Sequence, residues 1–125
     1  MRLLLDTHVL LWALMDSGQL RPAARSLLAD GANDVYVSAA SAWELGIKSA
    51  LGKLKIPADL EAVLQASFLR PLAINIAHAL EAAALPRHHA DPFDRLLIAQ
   101  ARLEGLTLMT RDGRFSAYGV STLEA

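Results

Sequence analysis

Short apolar runs alternate along the chain with longer segments in which apolar residues recur every three or four positions. The first run, Leu3–Leu5, is continuous and lacks a period of two, which is typical of a strand buried on both faces. Asp6 ends this run, and Thr7–Met15 then follows helical spacing. Further strands are predicted at Val35–Val37, Leu72–Ile74, Leu106–Thr110 and Val120–Leu123. The alternation predicts an α/β fold with a parallel sheet covered by helices on both faces.

Proline, glycine and capping residues mark the ends of the predicted helices. After the first helix, these run from Pro22 to about Asp30, Ser38 to about Leu51, Pro57 to about Phe68, Ala77 to about Leu85, and Asp91 to about Glu104. Pro71 is expected to break the pattern after the fourth helix, and Gly105 is expected to cap the last one.

The composition limits the classes of protein to which the chain can belong. The chain has 125 residues, 54% of them apolar, which fits one globular domain over residues 1–125 and argues against disorder. Its 12 basic and 13 acidic residues nearly cancel, so nucleic-acid binding would need a local basic patch. The chain has no cysteine, which excludes thiol chemistry and fits the cytoplasm. Apolar runs such as Val9–Met15 are far shorter than the roughly 20 residues that span a bilayer, so we expect no membrane association.

Four acidic residues are predicted to reach one edge of the sheet, where the strands end and the next helices begin. Asp6 ends the first strand and Asp112 follows the strand that ends at Thr110. Asp94 lies in the first turn of the last helix, and Glu44 lies in the second turn of the helix after strand two. If these carboxylates meet, their repulsion raises their pKa values, and a divalent cation relieves it. Ligands that are all oxygen indicate Mg²⁺ or Mn²⁺.

Each acid also has a purely local interpretation. Asp6 fits the N-cap of the helix it precedes, and Asp112-Gly113 fits a turn. The segment Asp91-Pro92-Phe93-Asp94 fits a helix N-cap and first turn, and we accept the capping role for Asp91. Glu44 fits an exposed ion pair with Lys48. The spacing alone therefore leaves a metal site and these local roles equally open.

Four segments in order resemble a PIN domain, and more narrowly the ribonuclease toxins of VapBC-type toxin–antitoxin systems. They are Leu3–His8 (LLLDTH), Ser38–Lys48 (SAASAWELGIK), His89–Ala101 (HADPFDRLLIAQA) and Leu108–Asp112 (LMTRD). The resemblance implies a three-layer α/β/α PIN-like fold with strand order 3-2-1-4-5, which places strand one beside strand four. It extends over nearly the whole chain.

The resemblance also implies roles for individual residues. The acids that match the family's active site and would bind Mg²⁺ or Mn²⁺ are Asp6, Glu44, Asp94 and Asp112. We expect supporting contacts to these carboxylates or to metal waters from Thr7, Ser38, Asp91 and Thr110. The implied function is a metal-dependent endoribonuclease that acts as the toxin of a type II toxin–antitoxin system, with RNA as substrate and a small antitoxin as partner. The apolar excess favours a homodimer.

Basic and aromatic residues supply the remaining hypotheses. Arg95, Arg111 and Arg114 flank the acidic edge and are expected to bind RNA phosphates or to neutralise the acids. The four histidines show no metal pattern, and His88-His89 is expected in a loop that faces either solvent or RNA. Trp12 and Trp43 fall in apolar helical stripes, which favours a core or an interface over base stacking.

Other functions fit the sequence less well. A haloacid dehalogenase-type phosphotransferase would need a second Asp where His8 stands, and a phosphorelay receiver would need an acidic pair after strand one. The main alternative is a non-enzymatic PIN-like binding module whose acidic pocket docks a protein partner.

Overall fold

The computed structural model describes all of residues 1–125. Its strands are β1 (Arg2–Leu5), β2 (Asp34–Ser38), β3 (Arg70–Leu72), β4 (Thr107–Thr110) and β5 (Thr122–Glu124). Its α-helices are α1 (Thr7–Leu14), α2 (Pro22–Ala29), α3 (Ala39–Ala50), α4 (Leu60–Ala66), α5 (Ile76–Ala84) and α6 (Pro92–Glu104), and a 3₁₀ helix, Gly113–Tyr118, precedes β5.

The five strands form one parallel sheet in the order β3-β2-β1-β4-β5, as the resemblance implied. Because successive side chains of a strand point to opposite faces, β1 contributes to two cores. Leu3 and Leu5 pack with residues of α1, α2 and α3, whereas Leu4 packs with Leu97 and Ile98 of α6. The sheet is therefore the middle layer of three, and its central strand carries Asp6 at its end. No helix is both long enough and apolar enough to cross a membrane.

The third strand lies two residues earlier than predicted. It spans Arg70–Leu72 rather than Leu72–Ile74, so Pro71 lies inside a strand. The prediction was wrong because it treated Pro71 only as a residue that ends secondary structure. At the edge of a sheet a residue without an N–H loses no necessary ladder bond, and β3 pairs with β2 alone. The 3₁₀ helix was also not predicted.

Candidate metal centre

Pairing of β1 with β4 brings Asp6 and Asp112 to the same edge. The Asp6 backbone N donates to Met109 O at 3.1 Å, which continues the ladder between the two strands. Thr110 Oγ1 donates to Asp6 Oδ2 at 2.6 Å and accepts from the Asp112 backbone N at 3.0 Å. Asp6 also caps α1, because its Oδ1 accepts from the His8 backbone N at 3.0 Å. The capping role and a place in the acidic cluster are therefore compatible.

Asp94 enters the site from the first turn of α6. Asp91 caps this helix as predicted, and its Oδ1 accepts from the backbone N of Phe93 at 2.8 Å and of Asp94 at 3.1 Å. The C-terminal end is also as predicted, since Gly105 adopts φ 66°, a left-handed conformation that favours glycine. The two caps fix the length of α6 and the position at which Asp94 projects.

Glu44 reaches the site from the second turn of α3. Its Oε2 accepts from Lys48 Nζ at 3.0 Å, so the predicted ion pair forms. The Glu44 side chain is only 9% exposed, however, so the pair is not the exposed one that was predicted. Glu44 Oε1 is buried and has no hydrogen-bond partner. One oxygen of this carboxylate is thus held by lysine while the other is available to a ligand.

Thr7 and Ser38 have partners other than those expected. Thr7 Oγ1 donates to Ser41 Oγ at 2.9 Å, and Ser38 Oγ caps α3 by accepting from the Ala40 backbone N at 3.0 Å. Neither hydroxyl hydrogen-bonds to any of the four carboxylates, whereas the hydroxyl of Thr110 does. The two residues hold α1 and α3 in place.

His89 belongs to the site, although its sequence indicated a loop facing solvent or RNA. His88 is exposed, but the His89 side chain is only 4% exposed. His89 Nε2 lies 2.7 Å from Asp94 Oδ2 and 3.5 Å from Asp112 Oδ2. Ligand-type atoms of these three residues all lie within 4.8 Å of one another. The one sequence signal for a place in the site was that His89 stands two residues before Asp91, the N-cap of α6.

The three expected phosphate-binding arginines differ in their contacts. Arg95 does not line the acidic cleft. Its guanidinium donates to backbone carbonyls between α5 and α6, at 2.8 Å to Ala82, 2.7 Å to Leu85, 3.0 Å to Pro86 and 3.2 Å to His89. The structure therefore gives Arg95 the role of joining the end of α5 to the loop that follows it, and its donors are not free for phosphate.

Arg111 and Arg114 do line the cleft. Arg111 lies 4.5 Å from the centre of the Trp12 ring and donates through Nε to Ala125 O at 3.1 Å. Arg114 forms a two-pronged pair with Asp112, with Nε to Oδ1 at 3.0 Å and NH2 to Oδ2 at 2.7 Å. Arg114 thus neutralises Asp112, which was one of its two predicted roles.

The sequence profile of the PIN domain family matches residues 3–120, nearly the whole chain. The chain belongs to the PIN domain family. Ribonuclease VapC22 of Mycobacterium tuberculosis is 31% identical to this PIN domain over 118 residues, which cover 92% of the chain and 90% of VapC22. The resemblance inferred from the four sequence segments is confirmed.

Two solved structures share the fold of this PIN domain. The crystal structure of VapBC2 from Rickettsia felis, bound to a DNA fragment from their promoter, matches with a TM-score of 0.73 and 19% identity over 99% of this chain and 98% of that one. The crystal structure of FitAcB from Neisseria gonorrhoeae matches with a TM-score of 0.66 and 24% identity over 98% and 96%.

The acids of this PIN domain interact electrostatically. Burial, the largest cause, and the charges of Asp91, Asp6, Glu44 and Asp112 together raise the pKa of Asp94 to about 7. Hydrogen bonds from Arg114 lower the pKa of Asp112 to about 2. Asp94 therefore keeps its proton to a higher pH than a free carboxyl does, whereas Asp112, paired with Arg114, lacks the raised pKa that repulsion among the acids predicts.

The residues of the cleft suit a hard divalent cation. The cleft measures about 600 Å³ and is lined by all four predicted acids together with His89. Glu44 Oε1 is buried in its wall and has no hydrogen-bond partner. Buried polar atoms without partners are costly, so such atoms beside carboxylates indicate that a polar species completes the site. Carboxylate oxygens are the ligands that Mg²⁺ and Mn²⁺ prefer.

Proposed function

We propose that this PIN domain is a Mg²⁺- or Mn²⁺-dependent endoribonuclease, the toxin of a type II toxin–antitoxin system, which hydrolyses RNA phosphodiester bonds in the cytoplasm. One observation carries the proposal: acids from four separate parts of the chain line one cleft, and Glu44 Oε1 is buried there without a partner. The relationship to Ribonuclease VapC22 supports the choice of RNA as substrate.

The residues of the cleft would share the chemistry as follows. Asp6, Glu44, Asp94 and Asp112 hold the cation. When bound, the cation supplies positive charge that stabilises the phosphate in the transition state and makes a water molecule a stronger nucleophile. Asp94 and Asp6 are our two candidates to accept the proton of that water.

Among the basic side chains, that of Arg114 is the best placed to contact an RNA phosphate. It is 61% exposed, lines the cleft and reaches Asp112. Arg111 lines the same cleft, but its hydrogen bonds to Ala125 O and Gln19 O restrain it. We therefore assign phosphate contact to Arg114 first and to Arg111 second, and no longer to Arg95.

The direct test is incubation of purified, partner-free protein with structured RNAs in Mg²⁺, Mn²⁺, Ca²⁺ or EDTA. We expect cleavage with Mg²⁺ and Mn²⁺, little with Ca²⁺ because its coordination is looser, and none in EDTA. Cleavage that survives exhaustive chelation would contradict metal dependence. RNA binding without cleavage in Mn²⁺ would favour the non-enzymatic binding module instead.

The partner we propose is a small antitoxin with a DNA-binding portion and a C-terminal inhibitory tail. Trp43 and Ile47 of α3, together with its C-cap Leu51, form an apolar stripe at spacings of four, with 62%, 38% and 65% exposure. Trp12 of α1 is partly buried in the nearby cleft wall. The apolar part of the tail would pack along these helices, and an Arg or Lys of the tail would pair with the acids.

Co-expression with the small open reading frame beside the gene tests this partner. We expect a stable complex without nuclease activity, and we expect Ile47→Asp, but not the exposed α4 variant Glu61→Gln, to weaken it. An active, non-toxic protein that binds no such partner would contradict the toxin assignment.

We also propose a homodimer, because Ile76 and Leu80 leave an apolar face on α5, where the two residues are 78% and 67% exposed. Analytical ultracentrifugation measures the oligomeric state directly.

A further inference from the structure

His89 is a buried polar residue that the proposed chemistry does not use. Its side chain is 4% exposed, and its Nε2 lies beside the acids, 2.7 Å from Asp94 Oδ2 and 3.5 Å from Asp112 Oδ2. Two roles fit such a position. Nε2 either coordinates the cation through its lone pair or carries a proton and acts as a hydrogen-bond donor to the carboxylates.

The other ring nitrogen distinguishes the two roles. The Asp91 backbone N–H donates to His89 Nδ1 at 3.2 Å, so Nδ1 must present its lone pair. A neutral imidazole carries one proton, which then resides on Nε2. A protonated Nε2 has no lone pair for a metal, and the ligand role is excluded while this hydrogen bond persists.

The surroundings of His89 hold the ring in this orientation. Its backbone N donates to Tyr118 Oη at 2.7 Å, and its carbonyl accepts from Arg95 NH1 at 3.2 Å. The ring packs against Phe115 with centroids 5.8 Å apart. The 3₁₀ helix, α6 and the α6 cap therefore fix both the backbone and the ring, which is the arrangement of a residue that orients others.

We propose that His89 is a positioning residue whose Nε2–H restrains the Oδ2 atoms of Asp94 and Asp112, the carboxylates that would hold the cation. Neither contact has the angle of a well-formed hydrogen bond, so the restraint is the electrostatic attraction of the Nε2–H for two carboxylate oxygens, 2.7 and 3.5 Å away. The inference rests on the proposed function, since it assigns His89 to the support of the same cation site.

Two spectroscopic measurements test the inference without relying on activity. In ¹⁵N-histidine NMR of the metal-free protein, His89 should show a protonated Nε2 and an unprotonated Nδ1. In pulsed EPR of the Mn²⁺-loaded protein, no directly coordinated imidazole nitrogen should be detected. A protonated Nδ1, or a coordinated nitrogen that disappears in His89→Gln, would overturn the proposal.

Substitutions supply the third test, with Mn²⁺ affinity measured by calorimetry. His89→Ala should weaken Mn²⁺ binding about 10- to 100-fold, as loss of an outer-sphere partner commonly does. His89→Gln keeps an N–H donor and should stay within about threefold of wild type, and the exposed neighbour variant His88→Ala should be unchanged. Because His89→Ala has a structural cost, retention of affinity in His89→Gln and the two spectra are decisive.

The outcomes separate this inference from the proposed function. If the wild-type protein binds Mn²⁺ and cleaves RNA while His89→Ala binds Mn²⁺ equally well, the positioning role is overturned and the proposed function stands. If the wild-type protein binds no Mn²⁺, the proposed function fails and the positioning role fails with it.

Discussion

Thr110 Oγ1 donates a 2.6 Å hydrogen bond to Asp6 Oδ2 and so joins two residues 104 positions apart in the sequence. The same oxygen accepts from the Asp112 backbone N at 3.0 Å. Bonds to an ionised carboxylate are among the stronger hydrogen bonds in proteins. The backbone ladder brings the ends of β1 and β4 together, and this single buried hydroxyl then orients the Asp6 carboxylate relative to Asp112, two proposed metal ligands.

Thr110→Val removes this hydroxyl and keeps the shape of the side chain. We expect a loss of about 1–3 kcal/mol in the free energy of unfolding, because a buried carboxylate oxygen and an amide both lose their partner. Mn²⁺ affinity should fall as well, since Asp6 is no longer restrained. Thr110→Ser keeps the hydroxyl and serves as the control. Urea denaturation and calorimetry measure both effects, and a Val variant with wild-type values would contradict the role of Thr110.

Asp94→Asn should abolish RNA cleavage and leave the fold intact, because it removes a metal-binding charge and keeps the size of the side chain. Asp6→Asn, Asp112→Asn and Glu44→Gln should behave in the same way. Glu61→Gln, an exposed acid in the first turn of α4, is a matched control that should cleave normally. Circular dichroism checks the fold. Cleavage by Asp94→Asn at a rate near wild type would show that the site is assigned wrongly.

The raised pKa of Asp94 predicts how stability depends on pH without metal. The pKa is about 7 in the folded protein and near 3.8 when unfolded, so between these values the folded state alone binds the proton. Stability contributed by this proton is present below about pH 4 and is lost as pH rises through 7. The Asp94→Asn variant has no carboxyl group to ionise here, so it should be more stable than wild type at pH 8, by on the order of a few kcal/mol.

Urea denaturation in EDTA at pH 5 and pH 8 measures this dependence. The stability gain of Asp94→Asn over wild type should be clearly larger at pH 8, where wild-type Asp94 is ionised. Glu61→Gln should give the same small difference at both values of pH. A gain from Asp94→Asn that does not change with pH would show that the pKa of Asp94 is not raised in the folded protein.

Arg114 would compete with the cation for Asp112, because its guanidinium donates to both oxygens of that carboxylate. Arg114→Ala should therefore tighten Mn²⁺ binding roughly two- to fivefold, the scale of an exposed ion pair. It should also raise the KM for RNA if Arg114 contacts phosphate. Arg114→Lys keeps the charge but loses the two-pronged geometry and should lie between the two. Weaker Mn²⁺ binding in Arg114→Ala would show that Arg114 supports the cation site instead.

Features that depend on neighbouring residues could be predicted from the sequence. A helix N-cap is decided by backbone amides two or three positions away, which is why the role of Asp91 was confirmed. The same holds for the left-handed Gly105 and for the pair between Glu44 and Lys48. The resemblance added the strand order, which places Asp6 beside β4.

Features that depend on distant partners were decided only by the tertiary structure. The segment containing His88 and His89 resembles an exposed loop, and Tyr118 Oη, 29 positions away, helps to bury His89 against the acids. The sequence left two kinds of hydrogen-bond acceptor open for Arg95, an RNA phosphate or the protein itself. In the structure, its guanidinium donates to backbone carbonyls at the end of α5. A buried donor or acceptor takes whichever partner the packed chain brings within about 3 Å, and local sequence holds no information about that partner.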